Sequence, residues 1–143
     1  MKNIQKHLFV KIIGIFLFAF LVVIYAHGQS YQQSLLLNKE WTLRLPGKTF
    51  YSTHIFTDKE SIVKTFINDG DKTDIGLKEP YYLSDKVVEK FEPNLVGKSK
   101  CGKYIVRKTN NEDLELYEIL ELTETNLKTK HLRSGSVLEY KVE

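Results

Sequence analysis

Five places in the chain carry residue types that could do chemistry. Gly97-Lys98-Ser99-Lys100-Cys101-Gly102-Lys103 has the G-x-x-x-x-G-K spacing of a phosphate-binding loop. Such a loop needs Ser or Thr after the lysine to hold magnesium, and a helix whose N-terminus faces the phosphates. Tyr104 follows instead, and the residues after it are β-rich, so the segment reads as a basic connection between strands. Asn68-Asp69-Gly70-Asp71-Lys72-Thr73-Asp74 sets oxygen ligands at alternate positions, as a hard cation prefers. Its glycine is misplaced, and with Asp69 first the twelfth position is Pro80 rather than a bidentate Glu, so a solvated turn is expected.

Cys101 lies between Lys100 and Lys103, cations that would favour a thiolate. A nucleophilic cysteine also needs a positioned base, and the sequence places neither His54 nor His131 beside it. The expectation is a surface thiol. His54 shares a strand face with Phe50 and Phe56, and His131 with Leu127 and Arg133. Two histidines without a third ligand make no metal site, so both are read as hydrogen-bonded core residues. Glu118 stands among Leu114, Leu116, Leu120 and Leu122. If that face points inward, Glu118 is a carboxylate in an apolar interior. It then needs a partner such as Arg107 or Arg133 and could orient a ligand. If Tyr117 and Ile119 face inward instead, Glu118 lies in water.

The elements that must position these residues are strands. Trp41, Leu43 and Leu45 alternate with Thr42 and Arg44 before Pro46-Gly47. Residues 49–57 and 61–67 are β-branched and aromatic and are joined across Asp58-Lys59. Short strands are expected at 81–84, 87–91 and 103–108. Longer ones follow at 114–123, 126–132 and 136–142, separated by Asn110-Asn111 and Ser134-Gly135. Residues 31–39 read as a short helix or turn leading to Trp41. No stretch after residue 40 sustains a 3.6-residue apolar stripe, so the class is all-β: eight or nine antiparallel strands in a sandwich or barrel.

Composition bounds the partners. The chain has 143 residues with 21 Lys and Arg, 18 Asp and Glu and one Cys. Lys2, Lys6 and Lys11 precede residue 29 and no acid does, so 18 basic residues face 18 acidic ones in the rest. That balance argues against nucleic acid or an anionic membrane as partner. A single cysteine excludes an intramolecular disulfide framework. Residues 1–11 are basic, 12–25 are apolar without interruption, and Ala26-His27-Gly28 is a small-x-small triplet. This is the order of a secretory signal peptide cleaved after Gly28, and it predicts export to the periplasm or beyond. The alternative is an uncleaved membrane anchor. The organisation expected is therefore a signal segment at 1–28, a lead-in at 29–40 and one domain at 41–143.

Trp41 at the first strand, Tyr81-Tyr82-Leu83-Ser84-Asp85, Gly102-Lys103-Tyr104-Ile105-Val106 and Tyr117-Glu118-Ile119-Leu120-Glu121-Leu122-Thr123 follow one another in a layout that resembles small secreted bacterial lipocalin-like proteins. The resemblance implies an up-and-down meander closed into a barrel, with Trp41 packed across its closed end. It also implies an exported, non-enzymatic binding protein with no cofactor, for a small apolar or amphipathic ligand inside the barrel. The inward positions expected from strand phase are Trp41, Phe56, Tyr82, Tyr104 and Glu118. A barrel has no free edge, so a monomer is expected. The alternative function is a protein-binding module, such as an immunity or inhibitor protein, that uses loops 68–80 and 92–102. A side-chain-filled interior would favour that alternative and an open cavity the first. No nucleophile, base and orienting group can be assembled from these residues, so an enzyme is not expected.

Overall fold

The structure is a computed structural model that describes residues 30–67, 71–72 and 76–143. The segment read as a signal peptide lies outside the described residues, as does most of the 68–74 turn.

The strands in chain order are β1 (Tyr31–Gln32), β2 (Glu40–Arg44), β3 (Phe50–Phe56), β4 (Glu60–Ile67), β5 (Asp71–Lys72), β6 (Leu77–Ser84), β7 (Cys101–Gly102), β8 (Tyr104–Lys108), β9 (Leu114–Leu122), β10 (Asn126–His131) and β11 (Val137–Val142). Eight of them form a closed antiparallel barrel: β2, β3, β4, β6, β8, β9, β10 and β11. Each pairs with the next, and β11 returns to β2 with Tyr140 opposite Leu43 and Val142 opposite Trp41. This is the meander expected, consistent with a small lipocalin-like barrel. Short β5 extends the β4 edge, and β1 pairs with β7 outside the barrel.

Turn chemistry explains the tight connections. Between β3 and β4, Thr57 Oγ1 accepts from Glu60 N at 2.9 Å, and Thr57 N donates to Glu60 O at 2.8 Å. Thr123 plays the same part between β9 and β10, accepting from Asn126 N at 3.0 Å. Gly135, at φ 72°, supplies the left-handed residue between β10 and β11. Residues 87–91 are not a strand. They belong to the long β6–β7 connection, whose turn at Pro93–Leu95 carries Phe91 back over the outside of the barrel. Phe91 packs there on Tyr82 with ring centroids 5.3 Å apart.

One end of the barrel is sealed. Trp41, Phe56, Tyr81, Leu83, Ile105, Ile119, Leu122, Leu127 and Tyr140 pack as one buried cluster, and Tyr31 and Leu36 join it from the lead-in. The lead-in is held across this end by polar contacts that need little room. Trp41 Nε1 donates to Leu36 O at 2.9 Å. Gln33 Nε2 donates to the Tyr81 hydroxyl at 2.8 Å, which itself donates to Thr57 O at 2.7 Å. Gly102 makes the β1–β7 clasp possible. A Cβ there would fall 2.5 Å from the Ser84 backbone, closer than any side chain tolerates. That is a packing reason for the second glycine of the G-x-x-x-x-G-K segment. The segment runs into β7 and β8 rather than into a helix.

Among the described residues no helix is long and apolar enough to cross a membrane. No group of three or more His, Cys, Asp or Glu among them is placed to hold a metal ion. Cys101 is an exposed free thiol.

Candidate functional site

Strand alternation lines the other half of the interior with polar side chains. On β3, His54 precedes the buried Phe56 by two residues. On β6, Glu79 precedes Tyr81 in the same way, and on β8 Arg107 follows Ile105. The register brings them round one circumference: Tyr81 lies opposite Arg107, Arg107 opposite Glu115, and Tyr117 opposite His131.

The centre of this layer is Arg107. Its Nε lies 2.9 Å from Glu79 Oε2, with both side chains almost wholly enclosed. The two atoms meet without hydrogen-bond alignment, and neither has another partner among the described residues. Arg107 Nη2 donates to the Tyr117 hydroxyl at 2.8 Å, and the guanidinium carbon stands 5.0 Å from the Tyr117 ring centre. A buried charge is tolerable only when paired, so Glu79 and Arg107 depend on each other.

His54 packs edge-on against Tyr140 with ring centroids 4.9 Å apart. Burial, helped by the Arg107 charge, pushes its pKa down to about 3, so its imidazole is neutral near pH 7. Burial pushes the Tyr140 and Tyr117 hydroxyls up, and both remain protonated donors. A cavity of about 20 Å³ lies between His54, Phe56, Arg107, Tyr117, Thr129 and Tyr140. That is room for about one water or one ligand oxygen.

Above this layer lies the end of the barrel away from the lead-in. Toward the mouth, His131 Nδ1 lies 2.8 Å from Ser134 Oγ while Nε2 meets Glu115, and Arg133 Nη1 lies 3.6 Å from the same carboxylate. Across from them the rim is apolar. Phe50 lies opposite Ile67, Leu77 lies opposite Val63, and all share the inward phase. Phe50, Ile67 and Leu77 are each more than 40% exposed, although strand phase turns them toward the lumen. Among the described residues this half of the barrel therefore has a polar base, one polar wall and one apolar wall.

Of the five residues expected to face inward, the structure places two inside. Trp41 and Phe56 belong to the sealed core, below the polar layer. Tyr82 faces outward. It is buried beneath Phe91, and its hydroxyl accepts from Glu92 N at 3.3 Å. Tyr104 also faces outward, opposite Ser84 and Glu118. Glu118 pairs on the outer surface with Lys103 at 2.8 Å rather than with Arg107 or Arg133. The physical reason lies in β9. Its register against β10 jumps, with Lys128 opposite Glu121 and Thr129 opposite Ile119, so a bulge at Leu120 shifts the phase. Tyr117 and Ile119 then face inward, as does Leu122 beyond the bulge. The even leucine spacing thus belongs to two different faces. Leu114 and Leu116 share the outer face with Val106 and Tyr82.

Sequence reasoning missed Glu79, Arg107, Glu115 and Tyr117 as a set. The signal was present: each charged residue sits two positions from an apolar inward residue on its own strand. Comparison of the chain with protein-family models, with curated protein sequences and with solved structures finds no match.

Proposed function

We propose that the protein is an exported, non-enzymatic binding protein that takes a small amphipathic ligand at the open mouth of its barrel. The observation that supports this is the half of the barrel away from the lead-in, read as a cup, in which an apolar rim of Phe50, Ile67 and Leu77 stands above a polar base around Arg107 and His54. Pockets of this kind use mainly apolar walls for affinity and a few polar groups for orientation. The narrow base lets only a small part of the guest reach the polar layer, so its bulk lies between the rim residues. Export rests on the basic and apolar order of residues 1–28. The non-enzymatic reading is the expectation drawn from the sequence; it is supported by His54, too weakly basic to take a proton near neutral pH, by Cys101 lying outside the barrel, and by His131 having both ring nitrogens engaged, by Ser134 and Glu115.

A protein-binding module is the second reading, favoured by the same narrowness. If the mouth does not admit a small molecule, Leu45, Phe50, Ile67 and Leu77 form an exposed apolar fringe of the kind that protein partners cover. A titration with the neutral fluorophore N-phenyl-1-naphthylamine separates the two. Saturable one-to-one binding, weakened by Phe50→Lys, is expected for the ligand reading. Absence of saturable binding would overturn it in favour of the protein-binding module.

A further inference from the structure

The small void beside Arg107 lies in the interior rather than at the rim. Phe56, Ile105 and Leu127 give it an apolar side, and they, Thr129 and Tyr140 are each at most 5% exposed. Polar atoms reach it from five different strands, carried by His54, Arg107, Tyr117, Thr129 and Tyr140. Thr129 is the decisive one. It is 2% exposed, and its Oγ1 makes no aligned hydrogen bond among the described residues. It stands near enough to the Tyr140 hydroxyl to counter, in small part, the upward push of burial there, but the two are not aligned as donor and acceptor. A buried hydroxyl costs free energy unless something completes its hydrogen bonds.

We propose that this void is a hydration site, holding one long-lived water that accepts from the Tyr117 hydroxyl and donates to Thr129 Oγ1. The inference goes beyond the ligand reading and stands whether or not a guest binds at the rim. Size fits: about 20 Å³ exceeds the roughly 10–15 Å³ that one water needs. Partner number fits too, since a buried water makes about two to four hydrogen bonds. Tyr117 accepts from Arg107 Nη2 at 2.8 Å, which leaves its own proton to give. Neutral His54 has one ring nitrogen that donates and one that accepts. Donors and acceptors together suit water, which is both. An anion is the poorer occupant, because Glu79 already offsets the Arg107 charge and a further negative charge would be buried unpaired.

Two measurements on the full chain, without added ligand, test the site. In the wild type, a cross-relaxation peak between water and the Thr129 methyl is expected, with the sign of a bound rather than a bulk water. In oxygen-17 relaxation dispersion, the amplitude is expected to fall by one water in Thr129→Ile, which fills the void, and to be kept in Thr129→Ser, which retains the hydroxyl. Unfolding curves confirm that both variants fold, and the methyl peak needs no variant. No methyl peak, or equal amplitudes in wild type and a folded Thr129→Ile, overturns the proposal and makes the void dry. Loss of the methyl peak when chloride replaces sulfate at equal ionic strength also overturns it, by assigning the void to an anion.

Discussion

The two ends of this barrel are built from the same eight strands and obey opposite rules. At the sealed end, alternate positions carry Trp41, Phe56, Leu83, Ile119 and Leu127, and the lead-in closes over them with hydrogen bonds from Trp41 and Gln33. At the open end the same alternation delivers His54, Glu79, Arg107, Glu115 and His131. Burying those residues costs free energy that apolar ones would not demand. A chain that needed only stability would have continued the apolar packing upward. The contrast teaches that the lower half holds the fold and leaves the upper half free to carry a polar cup.

Breaking the sealed end should have the largest effect. Trp41→Ala is expected to destabilise the protein by about 3–5 kcal/mol, read from chemical denaturation, because it empties the centre of the core. Gly102→Ala acts on the same end by another route, forcing a Cβ into the Ser84 backbone, and should cost about 3 kcal/mol. If either change were neutral, the sealed end would not be the stable half.

The polar layer gives the next largest effect and sharpens the comparison. Arg107→Met alone strands Glu79 and should cost about 3–5 kcal/mol. Adding Glu79→Gln should recover most of that loss, since the second change removes the unpaired charge. Additive losses in the two variants would contradict the pairing.

A pH titration separates the halves by another means. The His54 pKa of about 3 in the folded state lies below its ordinary value of 6.5. As pH falls, the unfolded chain therefore binds this proton first. Stability from neutral His54 is complete above pH 6.5 and is lost as pH falls from there toward 3, by up to about 1.4 kcal/mol per pH unit. In His54→Phe, which keeps a ring against Tyr140, this part of the slope should disappear from unfolding curves measured between pH 6.5 and 4. An unchanged slope would place the acid sensitivity elsewhere.

The smallest stability effect is expected at the rim. Phe50→Ser and Leu77→Ser remove exposed side chains and should shift stability by about 0.5 kcal/mol or less. Both should nevertheless weaken binding of the neutral fluorophore. The opposite pattern would mean that the rim is part of the core.

The division between the ends was only half legible in the sequence. The strands were, because β-branched runs, Pro46-Gly47 and Ser134-Gly135 mark them, whereas the closed meander and Trp41 across one end are what the lipocalin-like resemblance implies. The phase of β9 was not. A bulge leaves no composition signature, and the leucines on both sides of it suggested one continuous face. Tyr82 was misassigned for a related reason. An outward aromatic covered by a loop looks like an inward one until the loop is placed, and residues 87–91 resembled a strand rather than that cover. The polar layer was the hardest to see. Glu79, Arg107 and His54 lie far apart in the chain, and only barrel closure makes them neighbours.

The central claim is that one end of the barrel receives a ligand while the other stays closed, and amide chemical-shift mapping tests it most directly. On titration with N-phenyl-1-naphthylamine, saturable shifts are predicted around residues 50–54, 63–67, 77–79, 115–117 and 129–131. Trp41, Leu83 and Ile105 should hardly move. Shifts centred on the outer loop at 85–99, or none that saturate, would contradict the account.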